Sequence, residues 1–283
     1  MHDVNEPASH SQGGGLVRLR LDLGYDGAEF SGWALQPGLR TVQGVLSEAL
    51  ATLFRTDRVA LTVAGRTDAG VHASAQVAHC DLELTVWQSQ ADRAVRRLAG
   101  LLPPDVRVFA IRAVPPDFDA RFAAIWRRYC YRISDSEFGV EPLRRHDTVA
   151  WRRSLDTDAM HQAGQHLLGV HDFAAFCKRR EGATTVRRLQ QLDVVRDGHL
   201  IEVLVQANAF CHSMIRSLVN GLAAVGEGRR AIDWPGSLLT LGARADAISV
   251  APARGLTLVE VGYPPEDGLA QRAAETRAVR TPN

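Results

Sequence analysis

LVRLRLDLGY, residues 16–25, alternates apolar and polar side chains with a period of two, as a strand does when one face is buried and the other wet. Working outward, VQGVLSEALATLF sets Val42, Val45, Leu46, Leu50 and Leu53 on one helical face. Two strand-like runs follow, VALTVAG from Val59 and AQVAHCDLEL from Ala75. ADRAVRRLAGLL from Ala91 reads as a helix closed by Pro103-Pro104, and VRVFAIRAV from Val106 as a further strand. The order is βαββαβ.

Beyond Arg121 the same order returns. RRYCYRI is strand-like, and DTDAMHQAGQHLLG from Asp156 is helical with Asp156 placed to cap it. VRRLQQLDVV and LIEVLVQA form a predicted hairpin around Asp197-Gly198. HSMIRSLVNGLAAV from His212 is a predicted helix with Met214, Ile215, Leu218, Val219 and Leu222 on its apolar face, and GLTLVEVGY from Gly255 is the last strand. The expected fold is α+β, two tandem ferredoxin-like (βαββαβ) halves in a pseudo-twofold arrangement, over residues 16–120 and 121–264. Each half buries one sheet face under helices and leaves the other to meet its twin or a ligand, so a central cleft is the expected site. Residues 1–15 and 265–283 are polar with little periodicity and are expected to be disordered tails.

At 283 residues and 46% hydrophobic content the chain can bury a sizeable core. No stretch approaches the roughly 20 apolar residues of a membrane span, and the polar start MHDVNEPASHSQGGG has no apolar segment of the signal-peptide kind, so a cytoplasmic location is expected. Cys80, Cys130, Cys177 and Cys211 lie far apart with no CxxC spacing, which argues against a zinc site and reads as reduced, mostly buried thiols. The formal charge is +1, but residues 121–190 hold 13 Lys or Arg against 8 Asp or Glu, with arginine doublets at 127–128, 144–145, 152–153, 179–180 and 187–188. A basic middle suits a polyanionic partner, and equally an ordinary solvated surface.

The nucleotide-binding GxGxxG and GxxxxGK[ST] patterns are missing, as are HExxH and GxSxG, and no cofactor or metal is expected. The loop between the second and third strands is different: AGRTDAGVHASAQVAHC, 64–80, sets Arg66 and Asp68 two residues apart between Gly65 and Gly70. If the segment is extended, both side chains face one way, and the arginine can orient an aspartate able to act as nucleophile or base. The same residues also suit a structural Asx-turn beside a surface ion pair.

GRTDAGVHASAQVAH resembles the catalytic signature of the TruA family of tRNA pseudouridine synthases. The resemblance continues, in order, through GYDGAEFSGW (24–33), TVQGVLSEAL (41–50), DFDARFAAIWRRYCYRI (117–133), LLGVHDFAAFCK (167–178), NAFCHSMIRSLVNGL (208–222) and APARGLTLVEVGYP (251–264). It implies cofactor-free isomerisation of uridine to pseudouridine in tRNA, at positions 38, 39 and 40 of the anticodon stem-loop, by a homodimer that cradles the tRNA. On that resemblance Asp68 is the catalytic aspartate and Arg216 its partner across the cleft. Tyr129 stacks on the flipped uracil and is a candidate to handle its C5 proton, and Arg66 helps hold the base out of the helix. His72 and His212 are read first as structural, and Asp119 and Arg121 match a family segment without an assigned chemistry. Two departures stand out: Gly32-Trp33-Ala34-Leu35-Gln36 where the family often has GWQxQ, and Ser213 where it often has histidine. A non-catalytic RNA-binding module, or a synthase for another RNA or tRNA arm, remains open.

Overall fold

The computed structural model describes residues 15–178 and 184–278. Apart from Gly15, the expected N-terminal tail lies outside the described residues, as does the Arg179-Arg180 doublet. The alternation in the opening strand is realised in β1 (Leu16–Tyr25), where Leu19, Leu21 and Leu23 are fully buried and the residues between them are not. The chain continues through α1 (Val42–Phe54), β2 (Thr62–Val63), β3 (His72–Glu83), α2 (Leu84–Gln90), α3 (Ala94–Leu101) and β4 (Val106–Val114). Next come β5 (Trp126–Ser134), β6 (Val149–Ala150), α4 (Thr157–Gln165), β7 (Gly169–Asp172), β8 (Val186–Asp197) and β9 (Leu200–Ala207). The last elements are α5 (Met214–Gly226), a short α6 (Trp234–Ser237), β10 (Leu256–Gly262) and α7 (Leu269–Ala278).

The strands form a mixed, mostly antiparallel sheet in the order β4-β1-β3-β10-β5-β9-β8-β7, with β2 paired to β3 and β6 to β5. Two blocks are visible in that order. β4-β1-β3-β2 and, with the short β6 and β7 set aside, β10-β5-β9-β8 each place four strands in the spatial order fourth, first, third, second. They meet where β3 and β10 run parallel, with Thr257 opposite His72 and Leu258 opposite Ala73.

Capping explains where the main helices begin. Thr41 takes the Gly44 N–H at the start of α1, and Asp156 takes the Ala159 N–H at the start of α4, satisfying donors a helix leaves open. Every residue of α5 is buried except Arg216 and Asn220, so this helix is a core element with one polar stripe.

Several expectations are corrected. The helix expected from His212 begins at Met214, so His212 belongs to the preceding loop. The strand expected from Val59 shrinks to Thr62–Val63, and the one expected to end at Leu84 gives way there to α2. The supposed C-terminal tail contains α7, whose Leu269 and Ala273 are buried in a small cluster with Phe118, Ala120 and Ala123. Tyr263 partly covers that cluster, and Arg277 of the same helix binds Asp119 at 2.7 Å. Cys177 and Cys211 are joined as a disulfide, against the reading of four free thiols. They are 34 residues apart in sequence, and the fold brings their Cα atoms to 5.8 Å, a proximity that spacing along the chain does not reveal. Cys80 and Cys130 remain buried thiols, each pushed up to about 12, chiefly by burial.

Candidate active site

Asp68 sits in the segment that links β2 to β3, and that segment lies on a bed made by residues 24–33. Gly32 is where the two come closest. Its φ is +92°, and a Cβ there would lie 2.8 Å from the Thr67 carbonyl, so only glycine lets the segment pass. Trp33 N–H donates to the Thr67 carbonyl at 3.1 Å and Val71 N–H to the Asp68 carbonyl at 3.2 Å. The turn then closes at Gly70, with φ +77°. From Gly65 to Asp68, Thr67 is buried and Arg66 exposed, as in an extended run with alternate residues turned outward.

The second block supplies the opposite wall. Arg216, two residues into α5, donates from Nε to the Ala251 carbonyl at 2.6 Å, which aims its outer nitrogens at the loop. One of them lies 3.8 Å from Asp68 Oδ2. His212 Nε2 stands 3.6 Å from Asp68 Oδ1. The histidine reaches that position because Ser213 adopts a left-handed backbone, φ 64° and ψ 6°, a conformation that costs energy in a residue other than glycine. Lys178 N–H donates to the His212 carbonyl and holds the loop.

Tyr129 lies on β5 between Val205 of β9 and Leu258 of β10, with its ring edge-on to Phe210 at 5.2 Å. Burial, reinforced by the nearby Tyr25 and Asp68, pushes its hydroxyl far above the ordinary phenol range despite the pull of Arg127. The phenol therefore keeps its proton at physiological pH. Arg127, two residues earlier on the same strand, is itself buried and donates to the carbonyls of Ala64, Arg121 and Asn208. One guanidinium thus ties the aspartate loop to two loops of the second block. The Arg127-Arg128 doublet was expected on a surface facing a polyanion or solvent, but the hydrogen bonds of Arg127 make it a clamp within the fold.

Asp68, Tyr129, Arg216 and Arg66 all line one cleft of about 950 Å³, together with His212, Arg121, Arg127 and Phe210. Apart from Asp68, the charged groups in that lining are cationic. The expected Arg66–Asp68 pair does not form. Among the described residues the carboxylate is approached by His212 and Arg216, while Arg66 stays exposed at the mouth. His212, read first as structural, belongs to the cleft. His72 is buried outside the cleft lining, with its Nδ1 accepting the Gly27 N–H and standing 3.0 Å from Asp26 Oδ1, and its Nε2 3.0 Å from the Arg254 carbonyl. Asp119 is a turn residue whose carboxylate takes the N–H groups of Arg121 and Phe122. Those bonds hold it below the usual range even though burial pushes the other way. Among the described residues no group of three or more His, Cys, Asp or Glu is arranged to hold a metal.

Known proteins can now be set beside this geometry. A tRNA pseudouridine synthase A of Frankia casuarinae is 58% identical over 95% of this chain and 97% of its own length. The chain belongs to the tRNA pseudouridine synthase A family. Other members include that of Streptomyces avermitilis, 54% identical over 94% of this chain and 95% of its own, and that of Mycobacterium leprae, 50% identical over 94% and 96%. A family profile described as tRNA pseudouridine synthase matches residues 163–264, the part of the synthase that carries α5, His212 and Arg216. Among solved structures a Cbf5-Nop10-Gar1 complex aligns over 86% of this chain and 58% of that one at 13% identity, with a TM-score of 0.34, and adds nothing to the assignment.

Proposed function

We propose that this chain isomerises uridine to pseudouridine in tRNA, with Asp68 as the catalytic carboxylate and no cofactor. Convergence carries the reading: a carboxylate, an arginine and a buried phenol from three distant segments meet in one cation-lined cleft, in a chain of this family. In the reaction the bond from ribose C1′ to uracil N1 breaks, the base turns over, C1′ bonds to C5, C5 loses its proton and N1 gains one. Asp68 acts at the ribose. Arg216, anchored on the Ala251 carbonyl, holds the carboxylate in place. Tyr129 offers a ring face to the uracil and a neutral hydroxyl that relays the C5 proton, accepting it at oxygen while its own hydrogen passes to water. Arg66 fills the space the base vacates, and this helps offset an unstacking cost of a few kcal/mol.

We further propose uridines 38, 39 and 40 of the anticodon stem-loop as targets, two copies of the chain around the tRNA, and a cytoplasmic setting. Family membership and the cationic lining support the tRNA substrate. Among the described residues no helix is long and apolar enough to cross a membrane. The two strand blocks, each in fourth-first-third-second order, are read as tandem ferredoxin-like halves over 16–120 and 121–264, with the cleft between them.

The test is pseudouridine mapping in unmodified tRNA transcripts, incubated without cofactor with the parent protein and with Asp68→Asn. The parent is expected to modify the anticodon-arm uridines. Asp68→Asn is expected to modify none while binding tRNA within a few-fold of the parent, since it keeps the shape and loses only the carboxylate. Product from Asp68→Asn at the parent's rate would remove the aspartate from its role. Binding without product by the parent would make the chain an RNA-binding module.

A further inference from the structure

Beneath the aspartate loop lies a polar cluster that the reaction as described does not use. Gln76, on β3, is fully buried, and its amide nitrogen donates to the Gly65 carbonyl at 2.9 Å and to the Tyr25 hydroxyl at 3.2 Å. A carbonyl only accepts, so the orientation of this amide is fixed, and its oxygen takes the Val77 N–H at 3.2 Å. The Tyr25 oxygen, already accepting from Gln76, has one hydrogen left to give. Its other partner is the Thr67 hydroxyl, Oγ1 2.8 Å away. Burial pushes Tyr25 up to about 12, so that hydrogen is retained at any pH where the protein works.

We propose that Gln76, Tyr25 and Thr67 form a positioning relay that sets where the Asp68 carboxylate stands for the reaction. The relay grips residues 65 and 67, which alternate with Arg66 and Asp68 along one segment of the cleft wall; Thr67 is buried while Arg66 is exposed. Holding alternate residues of an extended segment from behind fixes the direction of those in front. An apolar trio of similar size would fill the same space without the cost of burying an amide, a phenol and a hydroxyl. What the polar version adds is direction, because hydrogen bonds hold their partners at set distances and angles where apolar contact does not. The relay runs from β1 through β3 to the loop, so the aspartate is referenced to the centre of the first strand block.

The inference rests on the reading of Asp68 as catalytic, and the experiment separates the two. Tyr25→Phe, Thr67→Val and Thr67→Ser are compared with the parent and with Asp68→Asn, measuring the single-turnover rate at saturating tRNA and tRNA affinity by filter binding. Tyr25→Phe and Thr67→Val are expected to lose roughly 10- to 100-fold in rate, with affinity within about twofold, since a shift on the order of 1 Å at a reacting group is worth that much. Thr67→Ser keeps the hydroxyl and is expected to stay near the parent. A general structural role would weaken rate and affinity together and would not be rescued by serine; either result overturns the relay. So does a parent-like rate in Tyr25→Phe while Asp68→Asn is inactive, and that outcome leaves the reading of Asp68 standing. A parent-like rate in Asp68→Asn overturns that reading first.

Discussion

Tyr129 shows how a residue acquires a role from its neighbours. On a strand it is an ordinary half-buried aromatic, but here β9 and β10 flank it, Phe210 meets it edge-on, and the aspartate loop runs past its hydroxyl, with a Cβ at Gly65 placed 3.8 Å from that oxygen. Tyr129→Phe keeps the ring and its packing and removes the group proposed to handle the C5 proton. It is expected to bind tRNA normally and to slow product formation by about 100-fold or more, the usual range for a positioned proton-transfer group. A rate like the parent's, measured by single turnover, would show that the hydroxyl is dispensable. Asp68, Arg66 and Arg216 were legible at this scale through the family signature, but the partner of Asp68 was only half read. Arg66 is near in sequence, whereas His212 and Arg216 are near in space. Arg127 was misread as a surface arginine although a signal was present. It shares the parity of Tyr129 and Tyr131 on one strand, and that parity puts it on the buried side.

Among elements, those with a clear period were legible and those defined by their contacts were not. β1, the capped start of α4 and the β8–β9 hairpin stand where the pattern puts them, because each carries its own signal: alternation, an N-cap, a turn dipeptide. α7 escaped, because its apolar face amounts to Leu269 and Ala273 in a polar sequence, too little to register as a period. Its order comes from what it lies on: the small cluster beneath it and the Arg277 link to Asp119. Ending the chain after Gly268 is therefore expected to cost about 2 kcal/mol or more, from the apolar area uncovered. In a protein of this size that is roughly 3 °C in thermal midpoint, measurable by calorimetry. An unchanged midpoint would show that the helix is not part of the stable fold.

The molecule as a whole has an alkaline limit written into its core. All four tyrosines, Tyr25, Tyr129, Tyr131 and Tyr263, are raised above the ordinary phenol range, in each case chiefly by burial. Unfolded, they would ionise near the ordinary value of about 10, so above that pH the unfolded chain binds fewer protons than the native one and stability falls as pH rises. Tyrosinate absorbance is expected to appear together with loss of the circular dichroism signal, not before it. A titration near pH 10 in a protein that keeps its fold would contradict this. At the acid end the sign reverses. Asp135 is held low by Arg196, and Asp81 by Arg18, so their contribution is present above the ordinary carboxylate range and lost as pH falls through the lowered values.

The parallel pairing of β3 with β10 joins the two strand blocks through Thr257 and Leu258 opposite His72 and Ala73. Asp68 hangs from one side of that seam, while Tyr129 and Arg216 stand on the other. Neither block holds the proposed reactive centre alone; the residues assigned to it meet only in the contact of the two. Cut between β4 and β5, the chain would give two inert fragments, and turnover would become second order in them, a property of their encounter.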